Sequence, residues 1–302
     1  MVHTANNGTV QLAYETLGPP DGEPLLLVMG LDSPMQWWPD GFCADLAEHG
    51  FHVARFDDRD CGQSTRYHRP DRRRALPVPD PVAIACSKPT YTVTDMVDDA
   101  IAVLDALDWD SAHVVGMSLG ASVALGMAIR HPARVRSVVS MMGLPAPLRP
   151  ATAARYVDPV GLRRFARLAS SASSSHAADV RAQVETARML ASPRHRFDEE
   201  WAYTTAVACR KAAAGDPGTA WRQLSALFRD RGLLSHTERI TAPLLILHGA
   251  DDPLIKPAAS AALARQVHGS RCVIFPDMGH EVPRHLWTTI ADEIAAHAGS
   301  AK

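Results

Sequence analysis

Short apolar runs alternate with amphipathic stretches along the first 150 residues of this chain, and the innermost runs are apolar without a break. Val10–Thr16, Leu25–Val28, His52–Phe56, Ala112–Gly116 and Val135–Met142 read as strands. Phe42–Glu48, Thr94–Leu107 and Leu119–Arg130 read as helices, the second with Met96, Val97, Ala100, Ile101, Val103 and Leu104 on its inner side. A strand with no polar alternation has to be buried on both faces. Helices between such strands supply the cover, so the pattern predicts an α/β fold with a mostly parallel central sheet.

The alternation stops after residue 143. From there to residue 237 the chain reads as helices alone, over Ala151–Leu168, Ala177–Leu190, Glu199–Ala214 and Thr219–Phe228, broken by SSASSSH at 170–176 and ASPRH at 191–195. The earlier rhythm then resumes with strand Pro243–Leu247, helix Pro257–Val267, strand Cys272–Phe275 and a closing helix from about Leu286. A helical block between two strands of one sheet reads as a lid. The expected organisation is a core of residues 1–143 and 238–302 with a helical cap, 144–237, inserted in it. A second insert, 66–89, is rich in proline and carries Arg72-Arg73-Arg74. It reads either as a solvated excursion or as a flap that favours anionic substrates.

Bulk composition narrows the function by exclusion. With 302 residues, 46% of them hydrophobic and 21% charged, the chain has ample material for a core. A net charge of −2 argues against nucleic acid as a partner. No run approaches 18 apolar residues and the N-terminus lacks the pattern of a signal peptide, so neither a membrane span nor secretion is expected. Five scattered cysteines with no CxxC pair point away from a disulfide framework or a zinc site and towards a reducing cytoplasm. HExxH and GxGxxG are both absent, so no metal and no cofactor is expected. Nothing in the sequence defines an oligomeric state.

The chemistry concentrates where strands end. Gly116-Met117-Ser118-Leu119-Gly120 follows a strand and opens a helix, the context in which G-x-S-x-G lifts a serine hydroxyl above a sheet. Ser118 is the candidate nucleophile. The backbone N–H of Leu119, at the head of its helix, is a candidate donor to an oxyanion. A serine needs a base, and a base needs an orienting group. His280, in Asp277-Met278-Gly279-His280, follows a strand and so sits where open α/β sheets bind ligands. His113 and His248 fall within strands and read as structural, and His131 reads as a helix-end residue. The orienting acid is either Asp251 or Asp252. Asp252, next to Pro253, is the favoured one, with Asp251 turned outward as a solvated neighbour.

On these motifs the chain resembles the α/β-hydrolase family over nearly its whole length. The acid loop matches at Gly249, Asp252 and, loosely, Pro257; the histidine loop matches at Gly279, His280 and Pro283. The family's D-x-R-G-x-G-x-S segment occurs as Asp57-Asp58-Arg59-Asp60-Cys61-Gly62-Gln63-Ser64, with Asp60 replacing the first glycine. Val28-Met29-Gly30 stands where many members have His-Gly. Both departures resemble the serine esterase branch that contains the aclacinomycin methylesterase.

The resemblance implies a triad of Ser118, His280 and Asp252 and two-step acyl transfer from a small-molecule ester, extending to a methyl ester of a polyketide-like molecule. It also implies a second oxyanion donor after the strand Leu25–Val28, assigned to the N–H of Leu31, with Gly30 allowing close approach. Trp37 and Trp38, just beyond, read either as pocket walls or as anchors of the next helix. A serine nucleophile sets aside the haloalkane dehalogenases and epoxide hydrolases of the family, which use aspartate. The same triad also fits a carbon–carbon bond hydrolase, a lactonase or a cofactor-free haloperoxidase or perhydrolase. A more remote reading is a non-catalytic small-molecule binding protein on the same fold.

Overall fold

In a computed structural model the protein is described over residues 1–67, 90–145, 150–171, 175–212, 218–229 and 232–301. The chain opens with β1 (His3–Asn7) and β2 (Val10–Leu17), an antiparallel hairpin. There follow β3 (Glu23–Val28), α1 (Asp40–Glu48), β4 (Phe51–Phe56), α2 (Val93–Ala106), β5 (Ala112–Met117), α3 (Leu119–Arg130) and β6 (Val135–Met141). Five helices come next: α4 (Pro150–Tyr156), α5 (Pro159–Ser171), α6 (His176–Leu190), α7 (Glu199–Ala212) and α8 (Thr219–Phe228). β7 (Leu244–Gly249), α9 (Ala258–Gln266), β8 (Arg271–Phe275) and α10 (Trp287–Gly299) complete the chain. The eight strands form one sheet in the order β1-β2-β4-β3-β5-β6-β7-β8, parallel from β4 to β8.

Successive side chains of the inner strands divide between two cores, as the two-residue period of a strand requires. Leu26, Val28, Val114, Val138 and Ile246 pack with α2, α3 and α9 on one face. Leu25, Leu27, Val115, Val139 and Leu247 pack with α1 and α10 on the other. Each such leucine or valine contributes about 1.5–3 kcal/mol on burial, which is why these positions are apolar. α2 starts at a reciprocal cap. The Asp95 N–H donates to Thr92 Oγ1 at 3.3 Å, and the Thr92 N–H donates to Asp95 Oδ2 at 2.7 Å.

The fold departs from the sequence reading in two places. β1 was not expected. Its turn uses Gly8 at φ +60°, which suits the first residue of a two-residue hairpin loop. The helix expected over Ala151–Leu168 is two helices, because Pro159 starts a new one. Asp158 caps it, its Oδ1 accepting from the N–H groups of Val160 and Gly161 at 3.0 and 2.9 Å. Of the insert at 66–89, all but Arg66 and Tyr67 lies outside the described residues. No helix among the described residues is long and apolar enough to cross a membrane.

Candidate active site

β5 ends in a sharp turn that puts Ser118 at φ 55°, ψ −113°, a conformation L residues seldom adopt. The flanking glycines allow it. A Cβ on Gly116 would lie 2.1 Å from the Gly120 carbonyl oxygen, and one on Gly120 would lie 2.2 Å from that of Val28. The Ser118 N–H donates to the Met141 carbonyl at 2.8 Å, and the hydroxyl does not cap α3. Leu119 is the first residue of that helix, where backbone N–H groups have no partner within the helix. The loop after β3 passes close by: a Cβ on Gly30 would come within 3.3 Å of Ser118 Cβ.

The acid comes from the end of β7. Asp252 is buried, and its Oδ1 accepts the N–H groups of Leu254 and Ile255, both at 2.8 Å. Its Oδ2 lies 2.7 Å from His280 Nδ1. Burial by itself would raise the Asp252 pKa. The charge and hydrogen bonds of His280 and His248 outweigh it and hold the carboxyl well below the usual carboxylate range. Since Asp252 can only accept, the His280 proton sits on Nδ1 and leaves Nε2 as a base.

His248, the structural residue of the sequence reading, has a part in this. Its Nε2 faces two acceptors, Ile255 O at 2.9 Å and Asp252 Oδ2 at 3.2 Å, so it carries the proton, while Nδ1 accepts from the Ser260 hydroxyl at 2.7 Å. His248 thereby holds the acid from behind.

Asp251 is not the solvated neighbour that was expected. Its Oδ2 accepts from Ser192 Oγ at 2.6 Å and pairs with Arg194 at 2.9 Å, both in the stretch that follows α6. The His280 N–H donates to the Leu190 carbonyl at 2.8 Å, and a Cβ on Gly279 would clash with residues 190–192. Glu281 Oε1 accepts from the Ser192 N–H and from His195 Nε2, each at 2.8 Å. The interruption at 191–195 is thus where the inserted helices grip the loops of the acid and the base.

Ser118 and His280 line one cavity of about 2440 Å³, together with Gly30, Leu31, Leu119 and Trp37. Much of the opposite wall is apolar and comes from the inserted helices, with Val157, Leu190, Trp221 and Leu224 among its residues. Trp37 meets Trp201 of α7 edge-on, ring centroids 5.6 Å apart. Trp38 does not belong to the pocket. It is fully buried against Phe42 beneath the sheet, so of the two tryptophans one is wall and the other is anchor.

Asp60, the departure from the family pattern, has φ +73°, which explains why glycine is usual there. Its carboxylate is fully buried and binds Arg222 of α8, the Tyr91 hydroxyl and the Tyr67 N–H. An acidic residue in a glycine's place was the one local signal, and it did not point to a partner 162 positions away.

A serine on such a turn, lining one cavity with the histidine of a buried Asp–His pair on this sheet, defines a class, and the chain belongs to the α/β-hydrolase family: the description alpha/beta hydrolase fold matches residues 23–283. Among its relatives, rhodomycin D methylesterase DauP of Streptomyces sp. (strain C5) is 30% identical over 306 residues, covering 97% of this chain and 96% of the relative. Rhodomycin D methylesterase DnrP of Streptomyces peucetius is 28% identical, covering 98% and 97%. A solved structure of a putative aryl esterase from Burkholderia cenocepacia superposes with a TM-score of 0.74 at 18% identity, covering 100% of this chain and 99% of that one.

Proposed function

We propose that the protein is a serine hydrolase that cleaves a carboxylic ester, specifically a methyl ester of a bulky and mostly apolar, polyketide-like molecule, through an acyl-enzyme. The observation that carries this reading is the Asp252–His280 pair at 2.7 Å, on the wall of the cavity that Ser118 also lines. In the reaction, Ser118 Oγ attacks the ester carbonyl and its proton passes to His280 Nε2, while Asp252 keeps the other ring nitrogen protonated. The carbonyl oxygen becomes an oxyanion held by the N–H groups of Leu31 and Leu119, each such donor supplying about 3 kcal/mol. The tetrahedral species collapses, the C–O bond to the alkoxy group breaks, and His280 protonates the departing alcohol. Water then attacks the acyl-enzyme, gives a proton to His280, and the second collapse releases the acid and restores Ser118.

The methyl ester is inferred from the relatives named as methylesterases. The bulk of the substrate is inferred from the cavity, which exceeds the range of roughly 300–1,000 Å³ typical of small-molecule sites. Residues 144–237 act as the cap that sets this volume, over a core of 1–143 and 238–302. Free thiols at Cys43, Cys61, Cys209 and Cys272 support a reducing, cytoplasmic setting.

Turnover of p-nitrophenyl esters, bulky methyl esters and β-diketones, measured side by side, tests the reading. Esters are expected to turn over fastest. Ser118→Ala is expected to lose on the order of 10⁶ in kcat and to melt as the wild type does. Faster turnover of the β-diketone would make the protein a carbon–carbon bond hydrolase. Failure of Ser118 to react with a fluorophosphonate would make it a binding protein.

A further inference from the structure

Three neighbouring residues join α8 to the core. Thr219 Oγ1 donates to the Asp60 carbonyl at 2.9 Å, Arg222 binds the Asp60 carboxylate, and Gln223 bridges two core loops. Gln223 has no solvent exposure. Its Oε1 accepts from the Asp32 N–H at 2.8 Å and its Nε2 donates to the Arg59 carbonyl at 3.3 Å. The amide has one workable orientation, since a flipped one would set donor against donor and acceptor against acceptor.

Asp32 belongs to the turn Gly30–Ser33, closed by Ser33 N–H to Gly30 O at 3.3 Å. It sits at φ +52°, which a non-glycine residue keeps only when its surroundings enforce it. The Leu31–Asp32 peptide is held at both ends: Ser33 Oγ donates to the Leu31 carbonyl at 3.1 Å, and Gln223 takes the Asp32 N–H. The neighbouring peptide carries the Leu31 N–H.

We propose that Gln223, from the inserted helices, is a positioning residue for the oxyanion hole: it fixes the Gly30–Ser33 turn so that the Leu31 N–H meets the oxyanion. This rests on the serine hydrolase reading given above. An apolar side chain at 223 takes the acceptor from the Asp32 N–H and the donor from the buried Arg59 carbonyl. The turn is then free to relax at Asp32 and to rotate the Leu31 N–H away. An oxyanion donor acts on the transition state and not on bound substrate, so its loss falls on kcat.

The experiment compares wild type, Gln223→Leu and Gln223→Glu in steady-state hydrolysis of a p-nitrophenyl ester, in binding of a trifluoromethyl ketone that forms a tetrahedral adduct, and in thermal melting. Gln223→Leu is expected to lower kcat by about 10- to 100-fold, with KM held to within about twofold. The ketone adduct is expected to weaken by a similar factor. Gln223→Glu, whose carboxyl in its neutral form keeps both an acceptor for the Asp32 N–H and a donor for the Arg59 carbonyl, is expected to recover most of the wild-type kcat at the acid end of the pH profile. Unchanged kcat in Gln223→Leu, a change confined to KM, or equal losses in the Leu and Glu variants at that acid end would each overturn the proposal. If Gln223→Leu does not fold, Gln223→Met, which keeps the chain length, is judged by the same criteria. Wild type that neither turns over ester nor takes a fluorophosphonate label on Ser118 defeats the serine hydrolase reading itself. Labelled wild type beside an unaffected Gln223→Leu defeats only the role of Gln223.

Discussion

The inserted helices hold the two sides of the site by different chemistry. On the acid–base side, the stretch after α6 grips Asp251 and Glu281 through Ser192, Arg194 and His195. Water reaches the Arg194–Asp251 pair, where the Arg194 side chain is 60% exposed, while His195 and Glu281 are at 15% and 19%. On the oxyanion side, α8 holds Asp60, Arg59 and Asp32 through Arg222 and Gln223, and the Asp60 side chain is fully buried. Exposed ion pairs contribute about 0–1 kcal/mol and are screened by salt. A buried pair that loses one member costs about 3–5 kcal/mol, because the remaining charge stays desolvated. The insert is therefore fastened firmly along α8 and, through the exposed Arg194, more loosely at residues 190–195.

The largest expected effect lies within the acid–base side but below its surface. Asp252→Asn offers His280 Nδ1 a neutral amide in place of a carboxylate and is expected to cost about 10⁴ in kcat, read from ester hydrolysis at pH 7. Asp251→Asn, one residue away but bonded to the insert, is expected to change kcat by less than about tenfold. Equal losses would erase the distinction between the buried acid and its exposed neighbour. On the oxyanion side, Asp60→Gly restores the residue usual at that position and relieves its positive φ, yet it removes the buried carboxylate that Arg222 and the Tyr91 hydroxyl bind. We expect a net loss of about 3 kcal/mol, seen as a fall in Tm of about 6 °C or more. A variant as stable as the wild type would show that α8 does not depend on that pair.

Legibility in the sequence follows the range of the contacts. Ser118 and its flanking glycines declare a strand, a turn and a helix within five residues, so the nucleophile could be read locally. His280 and Asp252 follow apolar strands, and the sheet brings strand ends together without any pairwise signal being needed. The roles of Asp251, Asp60 and His248 were not legible. Asp251 meets Ser192 across 59 positions, Asp60 meets Arg222 across 162, and His248 reaches Asp252 through a turn whose shape only the fold defines. Trp37 and Trp38 are adjacent in sequence yet face opposite environments, cavity and core, because the short helix they end rotates one inward. The missed break at Pro159 is a different kind of error, since a proline within a helical pattern is a local signal. So is the missed hairpin, which Gly8-Thr9 as a two-residue loop announces.

The smallest predicted effect separates the two anchorages most cleanly, because only one contains a histidine bonded to a carboxylate. Burial by itself would lower the His195 pKa, but hydrogen bonds to the Arg196 carbonyl and the Glu281 carboxylate, with Asp277 nearby, raise it above its ordinary 6.5. His285 packs against the same ring at 4.7 Å between centroids and is itself bonded to Asp277. A histidine whose folded pKa lies above its unfolded value contributes stability that is complete below about pH 6.5 and fades as pH rises through the folded value. The acid–base anchorage should therefore loosen on going from pH 6 towards pH 8, by about 1 kcal/mol or less at a pair whose side chains are 15% and 19% exposed. Melting curves of wild type and His195→Gln over that range are expected to converge as pH rises, and added salt should shrink the gap at the acid end. In an Asp60→Gly background the same convergence should persist undiminished, since among the described residues the hydrogen bonds given for 190–195 and for α8 go to different core loops. If instead the His195 effect vanished with Asp60, the insert would move as one rigid piece, and the contrast between a firm side and a yielding side would be wrong.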